Sequence, residues 1–154
     1  EKGTKCFVAG KVYYAWNNAE RLTDRPSLQA PDQWDAPIGL IYPHPGMRYP
    51  MNFDGIQAIL HHTYHAGTIC SETPEADKFF YEVANRKIPI FLCGMDADMV
   101  YESTYVYEKY GMIVLPMASP VAMYMKLWLL LCSGYSAKEW MTKPIPGDLP
   151  NFSI

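Results

Sequence analysis

The chain has 154 residues, a length typical of a single globular domain. Hydrophobic residues make up 49% of it and charged residues 19%, a composition typical of folded rather than disordered proteins. The net charge of −3 provides no positive field for nucleic acid or an anionic membrane surface. No apolar run approaches the roughly 18 residues that cross a bilayer, so we expect neither a nucleic-acid partner nor a membrane partner.

The N-terminal part of the chain predicts a β-hairpin and a linker. Cys6–Tyr14 carries β-branched and aromatic residues on both sides of Ala9-Gly10, a pattern typical of two strands joined by a tight turn. Residues 15–37 are polar and proline-marked without a sustained hydrophobic period, which indicates a linker or a long surface segment. We therefore treat residues 1–37 as one region.

Residues 38–143 alternate short apolar runs with helical patterns. Strands are predicted at 38–42, 55–63, 88–93 and 112–116, and helices at 74–86, 99–110, 119–132 and 137–142. Ser71 or Thr73 is the expected cap of the first helix and Ser119 that of the third. Continuously apolar strands alternating with helices predict a parallel sheet covered on both faces. The expected fold class is α/β, a small three-layer sandwich of Rossmann-like or flavodoxin-like type with about four parallel strands. A proline-rich tail follows at 144–154.

Three histidines within five positions, His61, His62 and His65, raise the question of a metal site. His61 and His65 have the spacing of the two ligands in HExxH, but the glutamate of that motif is missing. On a predicted strand, the neighbouring His61 and His62 point to opposite faces, and no cysteine pair or acidic cluster completes a ligand set. We therefore predict no metal site, with one histidine facing a crevice and another packed beneath a helix.

The four cysteines are widely spaced, and Cys93 and Cys132 lie in apolar runs, which favours reduced thiols and a cytoplasmic protein. A nucleophilic pair such as Cys93 with His62 stays an alternative. The chain contains no GxSxG, GxGxxG or phosphate-binding loop, so no cofactor is expected.

Two predicted turns, Tyr64–Thr68 and Cys93–Asp96, follow neighbouring strands. Ligands of open parallel sheets bind beyond the carboxyl ends of the strands. The turns therefore indicate either a ligand crevice or subunit interface, or turns whose residues only reverse the chain. Tyr101, Tyr105 and Tyr107, on one predicted helix, are candidates for a subunit contact.

Several motifs share an order and spacing with a known family. They read YPHPGM, AILHHTYHAGT, IPIFLC, YVYEKYGMIVLP and SPVAMYMKLWLLL. Together, over residues 12–131, they resemble the C-terminal half of bacterial-type L-asparaginases and of the related glutaminases and tRNA-amidotransferase D subunits. In that family a strand ends in Tyr-Gly-x-Gly-Asn, another ends in Thr-Gln-Cys, and a late helix carries a Lys-Leu pair, matched here by Lys126-Leu127.

The resemblance implies a substrate-binding turn and an effector pocket. The substrate-binding positions are Tyr64, His65, Gly67 and Thr68, and the effector-pocket positions are His62 and Cys93. In the family, the asparagine that matches Thr68 reaches the substrate's amino group in a neighbouring subunit's active site. Here Thr68 replaces that asparagine, His65 replaces a glycine and His62 replaces the usual arginine. A threonine hydroxyl is shorter than a carboxamide and offers one donor, so the substrate contact is expected to differ.

The family's threonine nucleophile and its Thr-Asp-Lys group belong to an N-terminal domain, and the chain contains neither of their motifs. The resemblance thus implies no catalytic residue here. It implies a C-terminal domain that completes an amide or amino-acid site in a homo-oligomer, or against an N-terminal catalytic domain, and that does not turn over alone. A stand-alone amino-acid binding or interaction module with this fold stays an alternative. So does an independent Cys/His or metal enzyme.

Overall fold

The structure is a computed structural model that describes residues 5–8, 11–14, 26–31, 35–143 and 145. Strands β1 (Lys5–Val8) and β2 (Lys11–Tyr14) pair antiparallel, with Val8 opposite Lys11. The predicted hairpin strands are therefore confirmed. The predicted turn at residues 9–10, residues 15–25 and 32–34 of the linker, and residues 144 and 146–154 of the tail lie outside the described residues.

The main sheet confirms the α/β prediction. Its four strands are β3 (Ile38–Ile41), β4 (Ala58–His62), β5 (Ile90–Cys93) and β6 (Ile113–Val114). All neighbours pair parallel, in the order β3-β4-β5-β6, so the strands follow one another across the sheet as they do along the chain. The carboxyl ends of all four strands therefore meet at one edge.

Helices cover both faces of this sheet, which confirms the three-layer arrangement. They are α1 (Pro74–Asn85), α2 (Thr104–Lys109), α3 (Pro120–Cys132) and α4 (Ala137–Trp140). Alternate strand residues point to opposite faces, so Ile59 joins a core with α1 and α2 whereas Leu60 joins a core with α3 and α4. The first core is rich in aromatic rings, among them Phe79 and Phe80 of α1.

The structure decides between the two predicted caps of the first helix and shows a later start for the second helix than the sequence predicts. The cap of α1 is Thr73 rather than Ser71, because Thr73 Oγ1 accepts the amide of Ala76 at 3.2 Å. Helix α2 begins at Thr104 and not at residue 99. Thr104 Oγ1 accepts a hydrogen bond from the amide of Tyr101 at 2.8 Å, and this bond closes a turn ahead of the helix. Tyr101 consequently lies ahead of α2 rather than on it.

Part of the predicted linker lies against the end of α3. The amide of Ser27 donates to the hydroxyl of Tyr135 at 3.0 Å, and the amide of Gln29 donates to Ser133 Oγ at 2.9 Å. Leu28 packs against the core on the α3 side. Residues 26–31 are thus tied to the turn between α3 and α4 before the chain enters β3.

The helices of the described part of the chain are too short to cross a membrane. The longest, α3, has 13 residues.

Candidate functional site

The ends of β3, β4 and β5 gather the residues that the sequence singles out. In the parallel register, Ile41 lies opposite His61, and His62 lies opposite Cys93. Just beyond the strands, the hydroxyl of Thr63 donates to the carbonyl of Gly94 at 3.1 Å and so joins the ends of β4 and β5. The first residues after neighbouring strands are therefore held together at one edge.

The predicted Tyr64–Thr68 turn is a closed loop at the end of β4. The amide of Tyr64 donates to the carbonyl of Thr68 at 2.7 Å, and the amide of Gly67 donates to the carbonyl of Tyr64 at 2.9 Å. His65 is exposed at its tip and Thr68 is half-buried. Neither the His65 imidazole nor the Thr68 hydroxyl makes a hydrogen bond within the described part of the chain. The backbone groups of the turn thus form hydrogen bonds with one another, and the polar side chains of His65 and Thr68 are left without such bonds.

Gly67 is the buried residue of this turn. Its φ of +70° is a conformation that favours glycine, and a Cβ at this position would lie 2.2 Å from the Tyr101 ring. The carbonyl of Gly67 accepts the hydroxyl of Tyr107 at 2.7 Å. Two tyrosines from the β5–α2 region therefore hold the turn against the sheet edge.

His62 lies beside the turn with its ring partly open to solvent. It stacks on the exposed Tyr42 ring, with centroids 4.3 Å apart and planes 19° apart. Burial lowers the pKa of the imidazole, so His62 is neutral at pH 7. Its Nε2 atom is buried, and no partner for it exists among the described residues. Of the two effector-pocket candidates, His62 therefore keeps unused hydrogen-bonding capacity.

Cys93, the other effector-pocket candidate, is a core residue. Its side chain is 1% exposed and packs in the core on the α3 side, with Sγ 3.8 Å from the carbonyl of His61. Burial raises the pKa of the thiol to about 12, which keeps it protonated and poorly nucleophilic at neutral pH. The structure therefore disfavours the Cys93–His62 nucleophile that the sequence left open.

His61 points to the other face and is fully buried beneath α1, beside Phe80. Its Nε2 atom is 3.0 Å from the oxygen of the Tyr49 hydroxyl, whose proton is donated to the carbonyl of Cys70 at 2.7 Å. Its Nδ1 atom is 2.5 Å from the carbonyl of His62. Burial lowers the pKa of His61 to about 4, so the ring is neutral and structural.

The histidines do not converge on a common point. His61 and His62 occupy opposite faces of β4, and His65 is on the exposed turn. Within residues 26–31, 35–143 and 145, no three His, Cys, Asp or Glu side chains come together as a metal site.

Comparison with known proteins does not identify a family for this chain. No protein-family model matches the chain, and no curated protein matches it significantly. The resemblance to L-asparaginases accordingly stays a prediction drawn from the motifs.

Sequence reasoning missed the contacts by which three tyrosines shape the site. Tyr49 holds His61, and Tyr101 and Tyr107 hold Gly67. The sequence placed Tyr101, Tyr105 and Tyr107 on one helix as a subunit contact, whereas Tyr107 is buried and only Tyr105, 60% exposed, is free for such a role. No local pattern reveals these contacts, because Tyr107 meets Gly67 across 40 residues.

Proposed function

We propose that this chain is a substrate-binding domain of an amidohydrolase that resembles L-asparaginases. In this proposal it completes the amide site but does not supply the nucleophile. The observation that carries the proposal is the Tyr64–Thr68 turn, closed by its own backbone at the carboxyl edge of a parallel sheet. The turn leaves the side chains of Thr68 and His65 without partners in the described region. Ligands of parallel α/β sheets bind at this edge.

The side chains of the turn suit the polar ends of an amino acid. The Thr68 hydroxyl both donates and accepts, and the two ring nitrogens of His65 provide further hydrogen-bonding positions. An ammonium group and a carboxylate therefore each find a partner there. The hydroxyl of Thr63 donates to Gly94, and Cys93 is buried, so neither is offered as a nucleophile.

In the proposal, a second polypeptide covers this edge and brings the reactive hydroxyl. It is either another copy of the chain or an N-terminal catalytic domain. Support comes from the apolar side chains of Met99 and Val100, which are 58% and 85% exposed beside Tyr101. Contiguous exposed apolar patches are typical of surfaces that another molecule covers. A cytoplasmic location is proposed from the free thiols of Cys70, Cys93 and Cys132.

The proposal is tested by calorimetric titration of the chain with L-asparagine and L-glutamine, alongside an ammonia-release assay. We expect weak saturable binding and no ammonia. Thr68→Val should weaken binding about two- to twelve-fold, the value of one hydrogen bond, whereas Thr142→Val, at an exposed position that follows α4, should not. Ammonia release by the chain alone, or equal affinities of the wild type and Thr68→Val, would contradict the proposal.

A second candidate is a stand-alone small-molecule binding module, favoured by the unpartnered Nε2 atom of His62 against the Tyr42 ring. The two candidates differ in affinity. A site that needs a second polypeptide binds an amino acid weakly on its own, whereas a complete module binds it tightly. A tight ligand at 100 times its dissociation constant would raise the free energy of unfolding by about 2.7 kcal/mol. Such a rise with the isolated chain would favour the module.

A further inference from the structure

The residues on both sides of Thr68 are fastened to one short stretch of chain. Before Thr68, the carbonyl of Gly67 accepts the hydroxyl of Tyr107 at 2.7 Å. After it, the amide of Ile69 donates to Ser103 Oγ through a longer hydrogen bond of 3.4 Å. Tyr107 and Ser103 are 3% and 4% exposed, so both bonds are shielded from water. Helix α2 and its N-cap residue therefore make hydrogen bonds to the backbone immediately before and immediately after Thr68.

The ring of Tyr101 adds a further contact with the turn. Three ring atoms lie 2.2–2.7 Å from the position that a Cβ of residue 67 would take, so only a hydrogen fits there. The hydroxyl of the same ring accepts the amide of Asp96 at 3.0 Å. Tyr101 thus touches the turn after β4 with its ring and the loop after β5 with its hydroxyl.

The three side chains belong to one preorganised unit. The amide of Tyr101 donates to Thr104 Oγ1 at 2.8 Å, which fixes Tyr101 relative to the first turn of α2. Ser103 and Tyr107 are four residues apart and lie on one side of that helix. A side chain that binds a ligand needs a backbone that does not move when the ligand arrives, because ordering a loop on binding lowers affinity.

We propose that Tyr101, Ser103 and Tyr107 are positioning residues for the Thr68 side chain. They fix the backbone on both sides of Thr68 and link the turn after β4 to the loop after β5. The inference rests on the proposed function in one respect only, namely that Thr68 contacts the ligand. We call the contacts that these three side chains make with Gly67 and Ile69 the clamp. The clamp has a readout that does not depend on ligand binding.

That readout is amide hydrogen exchange within the turn. The amides of Tyr64 and Gly67 make the two hydrogen bonds that close it, so their exchange rates report its opening. In Tyr107→Phe, which keeps the ring and removes the hydroxyl, we expect both amides to exchange about two- to twelve-fold faster, while Ile59 in β4 is unchanged. Tyr110→Phe is the matched control. Tyr110 directly follows α2 and also donates a hydrogen bond from its hydroxyl, but to Asp77 rather than to the turn.

The outcomes separate a clamp from a general stabiliser. Selective acceleration at Tyr64 and Gly67 supports the proposal. Unchanged rates overturn it, and so does equal acceleration at Ile59, because that pattern reports a loss of global stability alone.

The affinity of the same variants for L-asparagine connects the clamp to the site. Tyr107→Phe and Ser103→Ala should raise the dissociation constant, because a less fixed backbone must be ordered when the ligand binds, and Tyr110→Phe should leave it unchanged. If the wild-type chain binds no amino acid, the proposed function fails while the exchange data still decide whether the clamp exists. If the wild type binds but Tyr107→Phe matches it in both measurements, the clamp fails and the proposed function stands.

Discussion

At the scale of single residues, Gly67 is the position where the candidate site tolerates least change. Its positive φ and its contact with the Tyr101 ring are separate constraints, and a side chain violates both. Gly134 provides the comparison, since it has a φ of +72° and nothing within 4 Å of its Cβ position. The pair therefore separates backbone strain from steric collision.

We expect Gly134→Ala to lower the free energy of unfolding by about 1–2 kcal/mol, the cost of a left-handed backbone for a residue with a Cβ. Gly67→Ala should lower it by about 3–4 kcal/mol, because overpacking against Tyr101 adds to the strain. Urea unfolding of both variants measures the difference. Equal losses would show that the Tyr101 ring moves aside freely, contrary to the packing described above.

The buried histidine gives the second prediction at this scale. His61 has a pKa of about 4 in the folded chain against 6.5 in the unfolded chain. Between these two pKa values His61 binds a proton in the unfolded state but not in the folded state. The free energy of unfolding therefore falls as the pH drops from 6.5 towards 4. Above pH 6.5 both states are neutral and the contribution is constant. The lowered pKa of His62 acts in the same direction.

His61→Gln should therefore reduce the stability lost between pH 7 and pH 4.5 by about 2–3 kcal/mol. His65→Gln, a change at an exposed histidine of the same segment, should leave that loss as it is in the wild type. Urea denaturation at the two pH values provides the comparison. A loss in His61→Gln as large as in the wild type would mean that His61 does not govern acid sensitivity.

At the scale of elements, the two long helices start differently although both are preceded by hydroxyl residues and begin with proline. Thr73 accepts the Ala76 amide and caps α1, whereas Ser119 makes no side-chain cap bond at α3. The sequence predicts both as caps, and only the structure distinguishes them. Helix α3 depends instead on its apolar surface, including the fully buried Met123 and Leu127.

Thr73→Ala should cost about 1 kcal/mol of unfolding free energy, because it removes the only side-chain hydrogen bond at the start of α1 in the described structure. Ser119→Ala should cost a few tenths of that. Thermal unfolding of the two variants under one buffer condition gives the ranking. The reverse ranking would indicate that Ser119 forms a cap in solution.

How far the sequence predicts these elements depends on the range of the interactions. Burial determines the local pattern of apolar residues, as in the run IPIFLC and in the spacing of Phe79, Phe80 and Val83. The sequence therefore predicts the strands and α1 close to their observed positions. The start of α2 was wrong because Tyr101 bonds to Thr104 ahead of the helix, a local competition that hydrophobic periodicity does not detect.

At the scale of the whole molecule, the parallel sheet explains why distant segments share one edge. The turn at 64–68 was predictable because it directly follows an apolar strand. The contacts that hold the turn, made by Tyr101, Ser103 and Tyr107, were not predictable, because they join residues about 34 to 40 positions apart. Long-range packing of this kind leaves no periodic trace in the sequence.

The central claim, that the Tyr64–Thr68 turn binds an amide-bearing amino acid, is tested most directly by mapping backbone amide chemical shifts during an L-asparagine titration. We predict saturable shifts centred on residues 62–69 and 94–96, with α3 and α4 unaffected. Saturable shifts confined to another surface, or none at millimolar ligand, would contradict the account.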